Sequence, residues 1–163
     1  MTTFFCDIEA DSLLDTATKI HCLSAKSLNG DCKTLVRYFK TFFEALIEGD
    51  TLVFHNGFGY DFALLVKLGV IKGFTPTTIT LMDGEVVQVQ LIDSLALSRE
   101  FFPDLPNGHG LEAWSKRVGT HKPFVDDWEN LPIEEYISRC EHDVISTEAV
   151  FKYLATKLEI VYE

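Results

Sequence analysis

Residues 3–9 read TFFCDIE. Aromatic and β-branched side chains suit the pleated, half-buried surface of a sheet, so Thr3 to Ile8 is expected to form a strand. Side chains alternate along a strand, which puts Asp7 and Glu9 on one side and Ile8 on the other, toward the core. Two acids therefore face one space at the strand's end. Their repulsion pushes one pKa upward unless a cation or protons intervene, and a divalent metal is one remedy. An isolated D-x-E pair is more often a solvated strand end, so its meaning depends on what the rest of the chain supplies.

Outward from this stretch, Lys19 to Ala25 and Thr34 to Phe39 have the same strand character, with Asn29-Gly30 as a hairpin turn between them. The chain is expected to open as a β-meander. Phe42 to Ile47 reads as a short helix, Thr51 to Phe54 as a short buried strand, and Tyr60 to Leu68 as a helix with Phe62, Leu65, Val66 and Leu68 apolar. Val86 to Ile92 reads as one strand running into Asp93-Ser94, which can cap a helix over Leu95 to Phe101; Leu111 to Val118 is a further helix. In the last segment Ile133, Ile137, Cys140, Val144, Thr147, Phe151, Leu154 and Leu158 recur at spacings of three and four. That pattern places one apolar stripe on a helix of about seven turns. Strands followed by strand-helix alternation predict an α/β fold with a mixed sheet and helices on both faces.

The 163 residues are 47% hydrophobic and carry a net charge of −11. Length and composition predict one domain over residues 1–163, with enough apolar surface for a sizeable core. The acidity argues against electrostatic coating of nucleic acid and against an anionic membrane face as partner. It leaves room for an enzyme whose carboxylates hold cations over a phosphate. With neither a signal peptide nor a membrane span in the sequence, a cytoplasmic location is expected. Cys6, Cys22, Cys32 and Cys140 form no C-x-x-C pair and read as buried thiols.

Two further acids change the weight of the first pair. His55-Asn56-Gly57-Phe58-Gly59-Tyr60-Asp61 follows a strand through a glycine turn and opens a helix, so Asp61 falls in a first turn at a strand's C-terminal edge, where ligands of open α/β sheets bind. Asp143 falls in the middle of the last helix beside the apolar stripe, where propensity disfavours it and a polar partner is implied. Singly, one is a helix-dipole acid and the other a solvated helix acid. Together with Asp7 and Glu9 they make an ordered set.

That set resembles the DEDD exonucleases, and most closely the 3′–5′ proofreading domain of family A DNA polymerases from T-odd-type podophages. The likeness is carried by DIEADSLLDTATKIHC (Asp7 to Cys22), LVFHNGFGYDFALLVKL (Leu52 to Leu68), LIDSLALSR (Leu91 to Arg99), HGLEAW (His109 to Trp114) and CEHDV (Cys140 to Val144). It implies an RNase H-like (DnaQ-like) fold, with no polymerase domain within the 163 residues. It implies two Mg²⁺ or Mn²⁺ ions, with Asp7 bridging both, Glu9 and Asp143 completing one site and Asp61 holding the other through water. Asn56 matches a position that contacts the terminal nucleotides; read from the sequence alone it is equally a turn residue before Gly57. The implied activity is removal of nucleotides from the 3′ end of single-stranded DNA, with RNA as the alternative substrate. Phage replication proofreading or nucleotide recycling would be its setting, a separate DNA polymerase its partner, and the infected host's cytoplasm its location.

The pattern also departs from the family. The tyrosine subclass has a water-orienting Tyr four residues before the last Asp, where this chain has Arg139, and the histidine subclass would need His at position 138, which is Ser138. Arginine has no acceptor and stays protonated, so it cannot orient water in that way. An i, i+4 pair with Glu135 on the helix surface would account for Arg139. Tyr136 shares the face of Asp143 but lies roughly 10 Å further along the axis. His142 points about 100° away from Asp143 around the helix. His109 reaches the site only if its loop folds over it. His55 reads as a core or turn histidine, and Asp93 as a helix cap. Arg99, Lys116, Arg117 and Lys122 are offset by Glu100, Asp104 and Glu112, a weak indication of nucleic-acid contact. The competing class is a catalytically weakened, exonuclease-like module that grips a 3′ end or a replication protein.

Overall fold

The computed structural model describes residues 1–121 and 131–162. In chain order the elements are β1 Thr3–Ala10, β2 Ile20–Ser27, β3 Cys32–Leu35, α1 Lys40–Glu44, β4 Thr51–Phe54, α2 Asp61–Lys67, β5 Gly73–Thr75, β6 Thr78–Thr80, β7 Val86–Gln88, β8 Gln90–Asp93, α3 Ser94–Phe101, α4 Leu111–Val118 and α5 Ile133–Leu158. Five strands form the main sheet in the order β3-β2-β1-β4-β8. The first three make the expected antiparallel meander, and β4 and β8 add in parallel. The sheet is mixed, flanked by helices and RNase H-like.

The alternation along β1 sorts its side chains as the sequence requires. Cys6 and Ile8 enter a large core with Leu23, Leu52, Phe54, and with Phe62, Leu64 and Leu65 of α2. Phe5 and Val53 pack on the opposite face against Val144, Phe151 and Ala155 of α5. Asp7 and Glu9 share the face of Phe5, so they point to the side covered by α5. Both faces bury continuous apolar surface, and the stripe on α5 is buried from Cys140 to Leu154 while Ile133 at its start is 39% exposed.

Three expectations are corrected. Val86 to Ile92 is not one strand: β7 pairs with β6 in a small three-stranded sheet of order β5-β6-β7, whereas β8 joins β4. Val87, Val89 and Leu91 are all buried, so the alternation runs unbroken across the change of partner and cannot reveal it. The third strand ends at Leu35 rather than Phe39, because Tyr38 takes a φ of 58° and turns the chain away from the sheet. The helix expected over Phe42 to Ile47 is shorter and earlier, and Ile47 is 58% exposed. Among the described residues no helix is long and apolar enough to cross a membrane.

Candidate active site

The site is built where β1 ends. Strand β1 delivers Asp7 and Glu9, and α5 crosses the same face carrying Asp143; one carboxylate oxygen from each of the three lies within 4.8 Å of the others. The register of α5 is fixed by contacts next to these residues. The Cys140 thiol donates to the backbone carbonyl of Asp7 at 3.2 Å, three residues before Asp143 in the helix. One turn earlier the Tyr136 ring stacks on His21 of β2, with centroids 4.0 Å apart, and packs with Cys22 and Cys140. The apolar stripe therefore seats the helix, and Asp143 faces Asp7 as a consequence.

Asp61 stands outside this trio. It is 3% exposed in the first turn of α2, and its carboxylate accepts from its own amide and from that of Ile8. Those bonds favour the charged form, but burial outweighs them and pushes its pKa well above the usual carboxylate range, with Asp93 and Glu9 adding repulsion. The carboxyl of Asp7 is raised in the same direction, first by burial and then by Cys140, Asp143, Asp61 and Glu9. At Asp7 and Asp61, burial and the neighbouring acids thus both disfavour the charged form. The neighbouring Tyr60 hydroxyl is pushed up to about 12, mainly by burial and then by Asp61, Glu9, Asp11 and Asp7, and donates to the carbonyl of Ser12 at 2.7 Å.

The turn from β4 to α2 carries Asn56 and aims Asp61. Asn56 is exposed at a φ of 71°, a left-handed conformation that Asn tolerates better than most residues. A Cβ on Gly57 would lie 2.6 Å from Phe54 Cβ, so close approach requires glycine there, whereas one on Gly59 would meet only the end of the exposed Asn56 side chain, Oδ1 at 2.5 Å. Asp93 closes the turn: its carboxylate accepts from the amides of Asn56 at 2.9 Å and Phe58 at 3.1 Å. It also caps α3 through the amides of Leu95 and Ala96, as expected. The clamp on the turn had no signal in the sequence, since its partners lie 35 and 37 residues away.

His55 is structural. Its Nε2 donates to the carbonyl of His109 at 2.9 Å, its Nδ1 lies 2.9 Å from Ser94 Oγ, which donates to the Phe54 carbonyl at 3.2 Å, and burial lowers its pKa. His109 is tied by Nδ1 to Ser98 Oγ at 2.7 Å instead of reaching the carboxylates. His142 bonds the carbonyl of Thr120, away from the trio. Arg139 corrects the sequence reading: it is 7% exposed and buried, not a residue of the helix surface. Of the weak basic segment, Lys122 lies outside the described residues, Lys116 pairs with Glu112, and Arg117 lies over the Trp114 ring.

The donor set fits a hard divalent cation. Asp7, Glu9 and Asp143 offer only oxygen, the chemistry that Mg²⁺ and Mn²⁺ select.

No family model matches the chain. It is 26% identical to the DNA-directed DNA polymerase of Escherichia phage T7, over 91% of this chain and 26% of that protein. The enzyme of Enterobacteria phage T3 is 27% identical over the same shares. The chain thus spans about a quarter of the length of these relatives. Among solved structures, Brucella melitensis NrnC with bound Mg²⁺ superposes with a TM-score of 0.66 at 14% identity, covering 96% of this chain and 73% of that one. Phi29 DNA polymerase complexed with single-stranded DNA gives 0.60 at 14% identity, over 99% of this chain and 32% of that one. The apo form of a solved nuclease superposes with a TM-score of 0.65 at 16% identity, over 96% of this chain and 73% of that one, and with the sequence similarity to phage polymerases this bears out the resemblance to DEDD exonuclease domains.

Proposed function

We propose that the chain is a metal-dependent exonuclease that removes nucleotides from the 3′ end of single-stranded DNA, RNA being the alternative substrate. The observation that carries this reading is the convergence of Asp7, Glu9 and Asp143 within 4.8 Å at the sheet's end, in a chain similar to phage DNA polymerases. Asp7, Glu9 and Asp143 would hold one Mg²⁺ or Mn²⁺, and Asp61 would contribute to a second. When bound, such ions supply an activated water and neutralise charge that develops on the phosphate.

The chain's own residues do the positioning. Asp61 is buried in the first turn of α2, so its carboxylate is held at the helix start. Asn56, exposed on a turn that Asp93 holds rigid, would contact the terminal nucleotide. Position 139 holds a buried arginine, so hydrolysis rests on the carboxylates without a tyrosine to orient water. Phage replication proofreading or nucleotide recycling beside a separate DNA polymerase, in the cytoplasm of an infected cell, fits this chemistry, with residues 1–163 as one exonuclease domain.

Purified protein with Mn²⁺ should shorten a 5′-labelled single-stranded oligonucleotide from its 3′ end, and Asp7→Ala should reduce the rate by about 100-fold or more. A wild-type protein that removes no nucleotides with either metal overturns the assignment and leaves a binding-only module.

A further inference from the structure

We infer that the segment Lys33 to Lys40 is a second contact surface for single-stranded nucleic acid, gripping the strand upstream of the end that enters the site. This rests on the exonuclease reading for the identity of the strand. In a chain of net charge −11, residues 33–40 read KTLVRYFK, with Lys33, Arg37 and Lys40 exposed and no acid among them. Asp31 and Glu44 lie just beyond its two ends.

The sheet register places this segment at the correct end of the molecule. Leu35 pairs with Leu23, and Leu23 pairs with Ile8, so β3 finishes level with the residue between Asp7 and Glu9. The chain then leaves the sheet at Val36, two strands across from β1, a lateral distance of about 10 Å. Lys33 and Phe39 lie on the sheet face of Cys6 and Ile8, opposite Asp7 and Glu9, so a strand whose end is seated at the carboxylates reaches Tyr38 by passing over the edge where β1 and β3 end.

At the centre is Tyr38. It is 72% exposed and has a φ of 58°, a region that bulky non-glycine residues occupy rarely and at a cost. The conformation is fixed from behind: the amide and the hydroxyl of Thr41 both donate to the Tyr38 carbonyl, at 3.0 and 2.8 Å, and Phe39 packs into the core. The ring is held outward, with the Arg37 guanidinium 5.4 Å from its centroid. Beside it opens a shallow cavity of about 480 Å³, whose lining includes Tyr38, Phe39, Lys40, Leu68 and Val70, with the acid Glu44 at one side. An outward aromatic ring flanked by cations provides what a single strand recognises without regard to sequence. Bases stack on the ring and phosphates meet the charges.

The test is binding of a fluorescein-labelled oligothymidylate of about 12 nucleotides to the full chain in EDTA, across a salt series. Tyr38→Ala should weaken binding about five- to tenfold with the salt slope unchanged, and Tyr38→Phe should restore it, since stacking needs the ring alone. Arg37→Ala with Lys40→Ala should weaken binding and lower the slope of log K against log salt by about 1.4, the value for two phosphate contacts on a single strand. Unchanged affinity and slope in variants that melt like the wild type overturn the proposal, as does a wild type that does not bind at low salt. Because EDTA removes any need for cleavage, DNA binding that depends on these residues in a protein without nuclease activity would refute the exonuclease reading alone. Cleavage with variant-independent binding would refute this proposal alone.

Discussion

Asp93 accepts hydrogen bonds from four backbone amides, two on the turn after β4 and two at the start of α3. Only the second pair is local, so a helix cap is all that its sequence position can suggest. At 6% exposure the same carboxylate joins two chain segments, one of which presents Asn56 and leads into Asp61. Loss of a cap costs about 1 kcal/mol, and loss of each of the two part-buried turn hydrogen bonds costs about 0.5–1.5 kcal/mol. Asp93→Ala should therefore lower the unfolding free energy by about 2–4 kcal/mol in urea titrations, and Asp93→Asn, which keeps one acceptor oxygen, by less. A loss within about 0.5 kcal/mol would mean that solvent replaces the carboxylate and that the turn does not depend on it. Arg139 teaches the converse lesson. The sequence shows correctly that no tyrosine is there, but a charged residue on a helix is placed on the surface by default, and this one is buried.

At the scale of elements, legibility followed the length of the pattern. Helix α5 and strands β1, β2 and β4 were readable because each has several core positions in one period, and α4 was read with the bounds it has. Strands β5 and β6 have three residues each, too few for alternation to show. The break between β7 and β8 is a change of partner, and partners are tertiary information. For the site, the spacing of D-x-E, the glycine turn and the mid-helix Asp143 named the acids, whereas the Cys140 thiol that bonds the Asp7 carbonyl could not be read without the fold. The turn between β4 and α2 is the element most open to test. A methyl group on Gly57 would meet Phe54 Cβ at 2.6 Å and Phe62 at 3.2 Å, and neither belongs to a side chain that can swing clear of the core. Overpacking of this kind costs about 1–3 kcal/mol. Gly57→Ala should lower stability by that amount in chemical denaturation and reduce nuclease activity by displacing Asn56 and Asp61, while Gly73→Ala, where nothing lies within 4 Å of the added methyl group, should leave activity unchanged.

The whole molecule concentrates acid against its own stability, and the sign of that effect can be worked out. Burial raises the carboxyls of Asp7 and Asp61, with neighbouring acids adding to the shift. In the unfolded chain these groups lose their protons near pH 4, whereas the metal-free fold retains them to higher pH. Their stabilising contribution is thus complete below about pH 4 and is lost as pH rises through the raised folded values. His21 and His55 run the other way: burial lowers both, so their contribution grows as pH rises and is complete above about 6.5. A comparison of wild type with Asp7→Asn cancels the histidines, because both proteins share them. Without metal, Asp7→Asn should melt at higher temperature than the wild type at pH 8, and the difference should shrink toward pH 4. A divalent ion bound only by the fold would offset the charge of these carboxylates and add about 2.7 kcal/mol at a hundredfold excess over its Kd. Mn²⁺ at pH 8 should accordingly raise the melting temperature of the wild type and have much less effect on Asp7→Asn. If the amide variant proves no more stable than the wild type in EDTA at pH 8, the four acids do not repel one another in the folded state, and the argument that they await a cation fails with that result.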